Sequence, residues 1–146
     1  MIVAMNESSI LSDIYDSDNP ARIKIYNSIR KFLASFPKGT IHCIGKYKNG
    51  ISMDFCEVCS EIGILREVVV PYEDNDHSWP DPIKNKFKKI IKSSNSVFLV
   101  STGGFNPKKI KDMNNYVYKK SDYIINIVSS EKNLEIKVVK NGNKIS

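Results

Sequence analysis

No apolar stretch in the chain approaches the ~20 residues that a membrane span requires, which excludes a transmembrane role. The N-terminus, Met1 to Asn6, has no basic region and turns polar at Asn6-Glu7-Ser8-Ser9, so no signal peptide is read and a cytoplasmic location is expected. His42 and His77 are the only histidines, and the sequence sets no serine or cysteine nucleophile beside either, which argues against a hydrolytic triad. There is no Walker A spacing and no G-x-G-x-x-G fingerprint. The three cysteines, Cys43, Cys56 and Cys59, are an odd number and point to reduced thiols rather than a disulfide framework. Cys56-Glu57-Val58-Cys59 spells C-x-x-C, but there is no second such pair and the histidines are not at ligand spacing. Small buried residues on a helix face are the expected reading, with no metal and no cofactor.

What is present describes one domain over residues 1–146. Hydrophobic residues make up 41% and charged residues 26%, enough for a real core. Twenty-two basic against 16 acidic side chains leave a net charge of +6, carried mostly by dispersed lysines. That makes nucleic acid a secondary candidate partner. Lys84, Lys86, Lys88, Lys89 and Lys92 cover several faces of one segment, as a solvated helix does.

Strand and helix patterns alternate along the chain. Met1–Met5 is a short apolar run of strand length, and Asn19-Pro20 is a helix start with Asn as N-cap and Pro in the first turn. Ile23, Ile25, Tyr26, Ile29, Phe32 and Leu33 then recur at helical spacing up to Phe36-Pro37. Thr40–Ile44 reads as a second strand, Ser52–Ile62 as a helix stopped by Gly63, and Glu67–Val70 as a β-branched strand. A helix over residues 80–92, a strand over 96–100, a helix over 107–119 and a strand over 123–128 complete the series. The expected fold is α/β: a Rossmann-like open, mostly parallel sheet of about five strands with helices on both faces. Leu134–Val139 alternates before Asn141-Gly142, a hairpin turn leading to Lys144-Ile145, so a small C-terminal antiparallel hairpin is expected at an edge.

In such sheets ligands bind outside the carboxyl ends of the strands, so the β–α loops are the candidate site. The first loop offers Asn6 and Ser8. In the second, Gly45 and Gly50 let backbone amides approach an anion, Lys46 adds charge, Asn49 adds an amide, and Ser52 stands at the mouth of the next helix. The same glycines are also ordinary turn residues. Ser101, Thr102, Gly103 and Gly104 form a second cradle or a plain turn, and Trp79 is either a lid on the core or a face for a ring to stack on.

Residues 40–128 resemble the SLOG superfamily of DprA and LOG Rossmann-like proteins. The similarity is carried by Gly45, Gly50-Ile51-Ser52, Glu57 and Gly63-Ile64, and by Trp79-Pro80 and Asn114 through Ser121-Asp122, which look like the YpsA-like branch. The resemblance implies binding of a nucleotide or nucleotide-derived molecule, as a sensor or sponge in prokaryotic or phage signalling and defence. Phosphate would lie on the Gly45–Ser52 loop, Ser101 to Gly104 would close the other side, and Asn114, Ser121 and Asp122 would orient the loops or the ribose. It also implies a homo-oligomer. One alternative is a LOG-like nucleoside monophosphate phosphoribohydrolase using Glu57 or Asp54, but the Pro-Gly-Gly-x-Gly-Thr-x-x-Glu motif of those enzymes is absent, so the reading leans away from an enzyme. The other alternative is DprA-like single-stranded DNA binding.

Overall fold

The computed structural model describes residues 1–6, 18–130 and 133–142. Among these residues the chain forms β1 (Ile2–Asn6), α1 (Pro20–Ala34), β2 (His42–Lys46), α2 (Ile51–Ile62), β3 (Leu65–Val70), α3 (Asp81–Lys92), β4 (Ser96–Leu99), α4 (Pro107–Lys120), β5 (Tyr123–Ser130) and β6 (Asn133–Lys140). Local signals act where they were expected. Asn19 Oδ1 accepts the amides of Ala21 at 2.9 Å and Arg22 at 3.4 Å, and Pro20 occupies the first turn. Gly63 closes α2 in the left-handed conformation, φ 76°, with the Ile64 amide returning to the Cys59 carbonyl at 2.9 Å.

The six strands form one sheet in the order β4-β3-β2-β1-β5-β6, parallel except for the antiparallel pair β5·β6. Val3 lies opposite both Cys43 and Tyr123, and Asn6 lies opposite Asn126. Because strand side chains alternate between faces, this register sorts the core. Val3, Met5, Cys43, Ile125 and Ile127 meet Ile25, Ile29 and Leu33 of α1 and Phe55, Val58 and Cys59 of α2. On the same face Val68 meets Met53, Cys56, Phe87 and Ile90 of α2 and α3. Ala4, Ile44 and Val69 point to the other face, where Met113 and Val117 of α4 cover them. Three helices therefore lie on one side and one on the other.

The expected antiparallel addition at the C-terminal edge is present, as a hairpin of β5 and β6. The alternating segment pairs with β5 and becomes the strand β6 at the edge of the sheet, while Lys144-Ile145 lie outside the described residues. Ile136 and Val138 are the reason for that pairing, since in that register they join the apolar cluster under α1. The turn expected at Asn141-Gly142 leads into residues 143–146, outside the described residues, and Asn141 itself is anchored. Its Nδ2 donates to the carbonyls of Tyr118 at 2.6 Å and Ser121 at 2.8 Å, and its amide to that of Asp122 at 2.8 Å. No described helix is long and apolar enough to cross a membrane.

Candidate functional site

The strand order reverses between β1 and β5, and the loops after the parallel strands gather at the carboxyl end of the sheet, which is the place to search. A cleft of about 260 Å³ opens there between the loops after β2 and β3 and the inner side of α4. Its lining includes Tyr47, Lys48, Asn49, Tyr72, Trp79 and Asn114. A second cleft of about 350 Å³ shares Asn49, Ser78 and Trp79 with it. Trp79 thus stands in the wall between two cavities. Ligand cavities span ~300–1,000 Å³, so the second cleft is of a size for a small molecule and the first lies just below that range.

The aromatic wall is fixed from behind. Tyr47, Trp79 and Phe87 form a triad with ring centroids 4.5 to 5.3 Å apart, and Phe87 is fully buried. The Tyr47 hydroxyl donates to Asp76 Oδ2 at 2.8 Å, and Asn75 Nδ2 donates to the Tyr47 carbonyl at 2.5 Å, which ties the loop after β3 to the loop after β2. Burial, and then the Asp76 carboxylate, push the Tyr47 hydroxyl well above its ordinary value, so it stays protonated. Asn49 Oδ1 accepts the Gly50 amide at 2.7 Å, and Gly50 takes φ 94°, a conformation that favours glycine.

On the other flank of α4 a hydrogen-bonded chain crosses the reversal point. Lys46 Nζ donates to the Tyr118 hydroxyl at 2.6 Å, that hydroxyl donates to Asn6 Oδ1 at 2.8 Å, and Asn6 Nδ2 donates to Asn126 Oδ1 at 3.1 Å. Lys46 is buried and also lies over the Tyr118 ring, 4.4 Å from its centroid. Four elements, β2, α4, β1 and β5, are joined by these side chains.

Of the residues expected to bind ligand, Asn49, Trp79 and Asn114 meet at the first cleft, and Asn6 and Lys46 meet in the polar chain. Ser101, Thr102, Gly103 and Gly104 lie at the end of β4, where Lys109 Nζ donates to the Thr102 and Gly104 carbonyls and the Gly103 amide donates to Glu73 at 3.2 Å. Ser8 lies outside the described residues. Gly45 has a packing reason: a Cβ there would sit 2.3 Å from Cys56 Sγ. Ser52 is buried within the first turn of α2, where Asp54 already supplies the negative charge that a helix N-terminus favours.

Ser121 and Asp122 lie apart from the site, at the amino end of the sheet. Ser121 is fully buried and its Oγ donates to the Val117 carbonyl at 2.6 Å, while Asp122 Oδ2 accepts the Ile2 amide at 2.7 Å. They close α4 and anchor β1.

Neither a family model nor a curated protein matches this chain.

The two carboxylates considered for catalysis line a separate cleft of about 200 Å³ with Arg22, Tyr26 and Lys86. Asp54 receives two hydrogen bonds from Arg22, at 2.7 and 2.9 Å, with both residues only 4% exposed. Glu57 pairs with Lys86 at 2.5 Å. The thiols pack: all three are buried, and burial first, then Cys43, raises the Cys59 thiol well above its ordinary value. Among the described residues no group of three His, Cys, Asp or Glu is arranged to hold a metal. A larger cleft, about 510 Å³, lies at the opposite end of the sheet among Leu33, Phe36, Ile41, Ile62 and Leu65.

Sequence reasoning missed Tyr47, Asn75, Tyr118, Asn126 and Arg22. Arg22 had a readable signal, since it stands three residues before Ile25 on the apolar face of α1, where a charge demands a buried partner. Tyr118 and Asn126 had none, because only the docking of α4 across β1 and β2 brings them to Asn6 and Lys46.

Proposed function

We propose that this chain binds a nucleotide-like small molecule, with its planar ring in the cleft beside Trp79. The observation that carries the reading is the composition of that cleft: an aromatic wall braced by Tyr47 and Phe87, faced by the amides of Asn49 and Asn114 and flanked by Lys48. Rings supply a stacking surface, amides match the donor and acceptor edges of a heterocycle, and the lysine suits an anionic group. The resemblance of residues 40–128 to the SLOG superfamily points the same way, toward a sensor or sponge. Binding without turnover is preferred because Asp54 and Glu57 are held by Arg22 and Lys86 in a different cleft.

Trp79 is the only tryptophan, so its fluorescence reports on the cleft directly. Titration with mononucleotides, NAD, ADP-ribose and cyclic dinucleotides, followed by chromatography of the mixture, tests the reading. A saturable change with an unaltered ligand, weakened in Asn114→Ala, supports it. Release of a free base would move the assignment to a hydrolase, and silence across the series would remove the cleft as a nucleotide site.

A further inference from the structure

β4 is an edge strand with an unusual exposure. Val97, Phe98 and Leu99 are 47%, 40% and 39% exposed, on alternating faces, and among the described residues the strand pairs only with β3. Edge strands in stable proteins are guarded by charges, prolines or bulges, because their unpaired amides and carbonyls accept another strand. This one is not. From Ser93 to Asn106 the sequence has no charged residue and no proline, in a chain where one residue in four is charged. The opposite edge, β6, carries Glu135, Lys137 and Lys140.

The flanks of β4 are strongly cationic. Residues 81–120 hold ten lysines and two aspartates, a net +8, whereas the whole chain is +6. Side-chain contacts fix the orientation of α3. Lys86 turns toward α2, where it meets Glu57, while Phe87 and Ile90 face the core, so Lys84, Lys88 and Lys92, spaced four apart, occupy the opposite flank of α3. α2 connects β2 to β3 and α3 connects β3 to β4 on the same face, which sets that flank on the β4 side. None of the three makes an ion pair among the described residues. On the other face Phe98 stacks on Tyr116 of α4, with centroids 4.4 Å apart, and Lys120 lies over the Tyr116 ring at 4.5 Å.

We propose that the β4 edge is a docking site for an extended segment of a partner protein, rich in alternating apolar and acidic residues, which adds to the sheet as a seventh strand. Backbone pairing along Ser96–Leu99 supplies the register, Val97, Phe98 and Leu99 supply apolar contact, and the lysines on both faces select acidic side chains. A second copy of this chain is disfavoured, because two-fold pairing would set one lysine stripe against another.

The test uses the intact protein with a short synthetic peptide alternating valine and glutamate, the same peptide with lysine for glutamate, and a single-stranded oligothymidine. Amide hydrogen exchange and fluorescence anisotropy are read together. The glutamate peptide is expected to bind with salt-sensitive affinity and slow exchange at Ser96–Leu99, while the lysine peptide does neither. Val97→Lys should abolish this protection, and the triple change Lys84→Glu, Lys88→Glu, Lys92→Glu should weaken binding about tenfold, at ~0.2–1 kcal/mol per exposed charge pair. Circular dichroism verifies that each variant is folded. No protection at Ser96–Leu99, equal binding of both peptides, protection by oligothymidine alone, or a concentration-dependent dimer lost in Val97→Lys would each overturn the proposal.

Discussion

Replacing Gly45 by alanine separates two explanations of a glycine in a β–α loop. If Gly45 exists to let backbone amides reach an anion, an added methyl group costs affinity and little stability. The structure gives it another task. A Cβ at this position would lie 2.3 Å from Cys56 Sγ and 3.8 Å from Phe55 Cδ1, whereas carbon contacts settle at ~3.5–4.0 Å. β2 and α2 would have to separate by roughly 1 Å or Cys56 would have to leave its rotamer. Overpacking of that kind costs ~1–3 kcal/mol, and the burial of both elements places Gly45→Ala near the upper end, about 3 kcal/mol. At about 2–4 °C per kcal/mol for a domain of this size, the melting temperature should fall by about 6–12 °C. Urea unfolding followed by circular dichroism measures it, together with the partner change Cys56→Ala. That substitution removes the colliding sulfur, so the double variant should recover about 2 kcal/mol relative to the sum of the singles. Additive losses, or a cost for Gly45→Ala below about 0.5 kcal/mol, would refute the packing argument and return Gly45 to the ligand loop.

Three further outcomes follow from the buried groups. Asp54→Ala should destabilise the fold by about 3–5 kcal/mol, because it leaves the Arg22 guanidinium buried without its carboxylate, and adding Arg22→Met should restore much of that loss in the same urea experiment. The raised Tyr47 hydroxyl favours the folded state only while protonated, so its contribution is complete below the ordinary value of 10.0 and disappears as pH climbs toward the raised folded value; Tyr47→Phe should flatten the alkaline limb of a stability profile and cost about 1 kcal/mol at neutral pH. Native protein should resist a thiol reagent at neutral pH at Cys43, Cys56 and Cys59, and rapid labelling without denaturant would contradict their packing.

The alternation of strands and helices was legible because its signals are local. Asn19-Pro20 opens α1 through its own side chain, and Gly63 closes α2 through its own backbone. Position within the sheet was not legible. Ser96–Val100 has the same consecutive apolar pattern as Glu67–Val70, yet one strand lies at the edge and the other inside, and that difference is set by which strands arrive on either side. The antiparallel edge addition at residues 134–139 was legible from its alternation, but its pairing with β5 was not, because that contact is tertiary. At the site, loop position brought Asn49 and Trp79 into view, while Asn114, within α4, came from the resemblance alone. Ser121 and Asp122 looked alike in type but close the amino end, because a helix of fourteen residues carries its two ends to opposite sides of the sheet.

The central position of β1 has a consequence for how the molecule is made. The first strand of the chain sits between β2 and β5, and its Ile2 amide is held by a carboxylate 120 residues later. Pairing so distant in sequence is slow, since loop closure must be completed before the contact forms. During synthesis β1 can pair with β2 early, but its other side remains an open apolar edge until Tyr123–Ser130 has emerged. A chain cut before β5 would leave that edge of β1 unpaired and should aggregate through it.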